Sequence, residues 1–198
     1  MNERLVWIDC EMTGLDLGAD ALIEVAALVT DFDLSVLGEG IDLIVKPPAE
    51  ALDQMGDFVR AMHERSGLLS RLDEGIPLGE AEERVLAYIT DHCPTDSRPP
   101  LAGNSVATDR AFLARDMHTL DNFLHYRIVD VSSIKELSRR WYPKAYFASP
   151  PRSATTAPSP TSRRASRSCA TTAKRCSSPA RARTPPRSRR SRRGTVAR

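Results

Sequence analysis

The chain has 198 residues, and its 28 Lys and Arg nearly balance its 26 Asp and Glu. That balance hides two segments. Residues 1–149 hold 14 basic residues and all the acids, a net −12, and residues 150–198 hold 14 basic residues and no acid, a net +14. The second segment has no Leu, Ile, Met, Phe, Trp or Tyr and a single Val (Val196), so it lacks the large apolar side chains that offset chain entropy by burial, and it reads as a disordered Arg/Pro/Ser-rich tail.

Residues 5–10 (LVWIDC) read as a strand ending in acids, too short and too acidic at its end for a signal peptide. Residues 21–32 and 34–46 read as second and third strands, the third alternating through Ile41, Leu43 and Val45 and stopped by Pro47 and Pro48. Short helical pieces follow over 49–72. A longer helix over 78–92 carries Ala81, Val85, Leu86 and Ile89 on one stripe. A short strand over 101–104 precedes a helix over 107–117, with Thr108 as its expected cap. A strand over 126–131 and a serine-led helix over 132–141, stopped near Pro143, complete the pattern. The order predicts an α/β fold: a mixed sheet of three antiparallel strands, then alternating helix and strand, with helices on both faces. No apolar run reaches the ~18–20 residues of a membrane span. Cys10, Cys93, Cys169 and Cys176 form no CxxC pair, and the four histidines are scattered, so no zinc or disulfide framework is expected and the chain reads as cytoplasmic.

Asp9 and Glu11 are two apart on a strand, so they project to one face, together with Leu5 and Trp7. Two carboxylates on a face that packs a core are costly to desolvate unless a cation neutralises them, and hard divalent cations take carboxylate oxygens. A lone D-x-E is also what an ordinary solvated strand end looks like.

The longer string WIDCEMTGLD (7–16) resembles the first signature of the DEDDh-type 3′→5′ exonucleases, specifically the oligoribonuclease family. GNSVATDRAFL (103–113) resembles the second signature, HYRIVDVSSIKELSRRW (125–141) the segment after it, and MHERSGL (62–68) a substrate-side stretch. The resemblance implies a ribonuclease H-like fold and two Mg²⁺ or Mn²⁺ ions ~3.5–4 Å apart at the scissile phosphate. It assigns Asp9, Glu11 and Asp109 to the metal site and places Leu15 as a wedge between the last two bases. Phe58 stands where the family has a stacking Trp, and stacking survives with Phe. His63 falls near the scissile region, and Ser105, Arg127 and Ser132 fall in a cap around the 5′ phosphate. Tyr126 matches a tyrosine that reaches the active site across a homodimer interface. The implied partner is very short RNA, degraded to 5′-mononucleotides.

The family's last signature, H-x4-D on a final helix, supplies the general base and a fourth acid. Here no histidine follows His125 and no acid follows Glu136. Written as codons and read one base earlier, residues 156–162 (TAPSPTS) can spell His-Arg-Ala-Leu-Ala-Asp-Ile. The expectation is therefore a frameshift near Pro150 and Pro151, leaving an incomplete exonuclease domain over 1–149 with impaired hydrolysis. Two rivals remain at the level of sequence. One is a proofreading-type DNA exonuclease, which the HYRIVDVSS segment opposes. The other is a catalytically dead product that binds RNA through its basic tail.

Overall fold

The computed structural model describes residues 4–94 and 98–147. The expectations for 150–198, disorder included, lie outside the described residues. Five strands form one mixed sheet in the order β3-β2-β1-β4-β5: β1 Arg4–Met12, β2 Leu22–Asp31, β3 Val36–Ile44, β4 Pro100–Gly103 and β5 His125–Asp130. β1 is antiparallel to β2 and parallel to β4, and β4 is parallel to β5. The helices are α1 Ala49–Asp53, α2 Asp57–Ser66, α3 Leu78–His92, α4 Ala107–Asp116, α5 His118–Phe123, α6 Val131–Trp141 and α7 Pro143–Phe147, with a 3-10 helix at Leu69–Glu74.

Alternation along β1 builds two cores. Val6, Ile8 and Cys10 face a large cluster filled from α3 (Ala81, Val85, Ile89), α4 (Phe112, Leu113) and α5 (Leu120). Trp7 faces the other way, onto Leu28, Ala102 and Val131 at the start of α6. Its indole N–H donates to Thr30 Oγ1 at 3.0 Å, which settles the one polar atom of a fully buried ring. A third cluster, Ile23, Ile44, Met55, Leu68 and Leu72, seats the 49–74 helices where β2 begins and β3 ends. At the irregularity between Ala27 and Val29, Tyr88 from α3 bridges the strands: its hydroxyl accepts from Val29 N–H (3.2 Å) and donates to the Leu37 carbonyl (2.9 Å).

The α/β mixed sheet with helices on both faces is as expected. The details differ at helix starts. α4 begins at Ala107 with buried Val106 in the capping position, so Thr108 is inside the first turn and not the cap. α6 is capped by Asp130, whose side chain accepts from Ser132 N–H, not by its serine. α5 was not anticipated, because His118–Phe123 offers only one fully buried position, Leu120, to the apolar pattern. Pro143 ends α6 but also opens the short α7, its fixed φ suiting the first helical position.

Candidate active site

β1, β4 and β5 run in parallel, so their carboxyl ends open on one edge of the sheet, where ligands of open α/β sheets bind. The predicted acids gather there. β4 pairs with β1 at Val6↔Leu101 and Trp7↔Ala102 and then stops. The next free amide on that side, Cys10 N–H, is taken by Asp109 Oδ1 of α4 at 3.0 Å. A buried amide needs a partner; here a carboxylate replaces the ladder and is thereby pinned beside Asp9 and Glu11.

The three acids are electrostatically coupled. Burial, then Asp9 and Asp109, push the Glu11 carboxyl to about 7. Burial, opposed by the Cys10 amide and reinforced by Asp9, pushes Asp109 to about 6. Burial raises Asp9 as well. The cluster reaches one residue that sequence reasoning missed. Glu24 is the direct antiparallel partner of Glu11, and burial, Asp42 and Glu11 raise it to about 7, against the pull of Arg71. Only strand register reveals that pairing.

This donor set suits a hard divalent cation in its chemistry: carboxylate oxygens, half withdrawn from water, mutually repelling. Among the described residues, however, no group of three or more His, Cys, Asp or Glu is gathered tightly enough to hold a metal ion. The fold brings Asp9, Glu11 and Asp109 into one electrostatic cluster without closing them into a ligand shell.

His63 of α2 is buried. Its Nε2 lies 2.9 Å from the Met12 carbonyl and its Nδ1 3.9 Å from Glu11 Oε2. It ties α2 to the end of β1, and its ring is shielded from solvent.

Leu15 is 73 % exposed at the tip of a loop joining β1 to β2. The loop is fastened from within. Thr13 N–H donates to the Ala21 carbonyl (3.0 Å), and Asp20 accepts from Thr13 Oγ1 (2.8 Å) and Asp16 N–H (2.9 Å). From outside, Arg115 of α4 donates to the Leu17 and Asp20 carbonyls and Gln54 to that of Ala19. A Cβ on Gly14 would lie 2.6 Å from Asp20 Cγ, so a larger residue there displaces the carboxylate that fastens the loop. Phe58, 82 % exposed in the first turn of α2, and Met62 one turn on present a second apolar surface.

Of the remaining expected residues, Ser105 and Ser132 flank the ends of β4 and β5, whereas Tyr126 and Arg127 lie at the start of β5. Ser105 has a left-handed φ of 58°. Arg127 Nε–H donates to the Tyr126 hydroxyl (3.1 Å), with its guanidinium 5.5 Å from that ring. Tyr126 is exposed and stacks on His125. Ser132 opens α6 within hydrogen-bond reach of Asp130.

The exonuclease family RNase_T matches residues 6–151, ending where the sequence changes character. The chain is 64% identical over 150 residues to an oligoribonuclease of Streptomyces coelicolor, covering 76% of this chain and 75% of that one. It is 60% identical over 151 residues to an oligoribonuclease of Rhodococcus jostii, covering 76% of each. Among solved structures it resembles exonuclease I of Methylocaldum szegediense (TM-score 0.54, 18% identity, 71% of this chain and 30% of that one). It also resembles E. coli exonuclease I bound to a dA13 oligonucleotide (TM-score 0.57, 14% identity, 72% of this chain and 31% of that one). At those identities the likeness is one of fold.

Proposed function

The chain belongs to the oligoribonuclease family of 3′→5′ exoribonucleases, and we propose that it acts on very short RNA, releasing 5′-mononucleotides in a divalent-metal-dependent hydrolysis. The observation that carries this is the cluster of Asp9, Glu11 and Asp109 at the carboxyl edge of the sheet, with carboxyls raised by burial and by one another. Those three side chains, which this structure brings near one another without closing into a ligand shell, would draw together to hold Mg²⁺ or Mn²⁺. A bound cation of that kind acts as a Lewis acid and makes water nucleophilic at neutral pH.

The chain's own residues do the rest. Leu15, held by its fastened loop, and Phe58 take the bases at the 3′ end by wedging and stacking. Ser105, Arg127 and Ser132 receive the 5′ phosphate, which sets an upper limit on substrate length. Tyr126 is assigned to a homodimer interface. No helix among the described residues is long and apolar enough to cross a membrane, and we place the enzyme in the cytoplasm.

Hydrolysis by this chain is proposed to be severely reduced. No histidine follows His125 and no acid follows Glu136. His63, the histidine beside the acids, faces the Met12 carbonyl and Glu11 and does not replace the missing base. A general base contributes ~10²–10⁴-fold in rate. The net +14 over residues 150–198 favours a second reading, RNA binding without cleavage.

One paired assay tests these points: this chain and a version with the frame corrected near Pro151, each given a labelled diadenylate with Mn²⁺ or chelator. We expect Mn²⁺-dependent release of 5′-AMP by the corrected chain, at least ~100-fold faster than by this one. Equal turnover by both overturns the impairment. Turnover by neither, with RNA retained, favours the binding reading.

A further inference from the structure

The ends of β4 and β5 lie side by side, Gly103 paired with Asp130. The chain leaves β4 through Ser105 and leaves β5 into α6. One carboxylate joins the two exits. Asp130 Oδ1 accepts from Ser105 N–H (2.8 Å), Ser132 N–H (2.9 Å) and Ser132 Oγ–H (2.8 Å). Its Oδ2 accepts from Ser132 Oγ–H and Ser133 Oγ–H, both at 2.9 Å. Partial burial alone would raise this carboxyl, but the bonds from Ser132, Ser105 and Ser133 hold it below its usual range.

Capping α6 needs only the Ser132 amide. The Ser105 amide belongs to another segment, and Ser105 is held in a left-handed conformation that L-residues avoid. The carboxylate therefore sets the geometry of the β4–α4 turn as well as that of the helix start. From these contacts we infer that Asp130 is a positioning residue: it locks Ser105 and Ser132 into one cradle for the 5′-terminal phosphate of the substrate. The inference rests on the cap assigned above to Ser105, Arg127 and Ser132.

A carboxylate beside a phosphate site looks unfavourable, and two features offset it. Its oxygens already carry four donor groups. A cation also stands at the same corner: Lys135 on α6, whose Nζ lies 3.3 Å from Asn104 Oδ1. Ser132 can turn its hydroxyl proton to an incoming phosphate because Asp130 keeps the Ser105 amide, the Ser132 amide and the Ser133 hydroxyl. Without Asp130, the Ser105 amide loses its acceptor and no side chain among the described residues joins the two serines.

The test is the ratio of affinities of the full chain for 5′-phosphorylated and 5′-hydroxyl diadenylate, measured by titration calorimetry with Ca²⁺ in place of the reactive metal. Taking a ratio within one chain cancels whatever residues 150–198 contribute equally to every variant. The unchanged chain should prefer the phosphorylated probe, and Ser132→Ala should erase most of that preference. Asp130→Ala should cut it at least about fivefold, one charge-assisted contact being worth that much or more. Asp130→Asn retains an acceptor for the Ser105 and Ser132 amides, folds even if the alanine variant does not, and should keep an intermediate preference. If Ser132→Ala erases the preference while both Asp130 variants keep it, or weaken both probes equally, Asp130 is merely structural and the inference falls alone. If the unchanged chain shows no preference, or Ser132→Ala preserves it, the cap assignment fails and the inference fails with it.

Discussion

Replacing Glu11 with Gln keeps the side chain's shape and removes one charge from the acid cluster. Burial, then Asp9 and Asp109, raise the Glu11 carboxyl from an ordinary 4.5 to about 7. Such a group holds its proton more tightly folded than unfolded. Its contribution to stability is complete below about 4.5 and is lost as pH rises through about 7. The full shift corresponds to ~3 kcal/mol. The side chain is 41% exposed, so water screens it and about 1–2 kcal/mol is the realistic loss. In chelator at pH 8, Glu11→Gln should therefore melt above the unchanged chain, by about 2–4 °C per kcal/mol. At pH 5 the two should melt together. Mn²⁺ at a hundredfold excess over its dissociation constant should add ~2.7 kcal/mol to the unchanged chain at pH 8, and most of that gain should vanish in the variant. Calorimetric melts at the two pH values, with and without Mn²⁺, measure all of this. A variant no more stable than its parent at pH 8 would refute the stored repulsion. Equal Mn²⁺ stabilisation of both would remove Glu11 from the metal site.

Leu15→Ala and Phe58→Ala should each weaken binding of a dinucleotide by roughly 1–3 kcal/mol and leave the melting temperature unchanged, because both side chains are exposed; titration beside thermal melts checks this. Arg115→Ala and Gly14→Ala should weaken the same binding through the loop, the first by freeing the Leu17 and Asp20 carbonyls, the second by displacing Asp20; amide exchange over residues 13–21 should quicken in both. RNA retention by the full chain should fall steeply between 50 and 200 mM salt while a chain ending at residue 149 shows little retention at either, since the basic charge is concentrated after that point.

The sheet was legible because its code is local. Val6, Ile8 and Cys10 alternate with Leu5, Trp7, Asp9 and Glu11, and that period alone puts the two acids on one face before any partner strand is known. Ala81, Val85 and Ile89 likewise announce the buried side of α3. Glu24 was not legible: it is one acid in the apolar string LIEVAALV, and it becomes part of the site only because register sets it opposite Glu11. Arg115 was hidden for the same reason, since its carbonyl partners lie on a loop almost a hundred residues earlier. The start of α6 is different. Asp130, two residues ahead of Ser132 and Ser133, is a cap signal in itself, and the serine pair competes with it as an apparent helix start.

The same helix shows where local reading stops. Ile134, Leu137 and Trp141 recur at helical spacing on α6, and they are 38%, 40% and 66% exposed. Periodicity specified a helix with an apolar stripe, and the helix formed. It could not specify what the stripe packs against, because that is decided by a second segment. Val131 at the first turn is buried against Trp7 and Ala102, and the stripe emerges from the core within one further turn. Exposed apolar area of this kind contributes nothing to folding until something covers it, at ~25 cal/mol per Å². The frame-corrected chain should therefore exceed this one in stability as well as in turnover. A gain in turnover with no change in melting temperature would separate the two losses and confine the effect of residues beyond Pro150 to the missing catalytic groups.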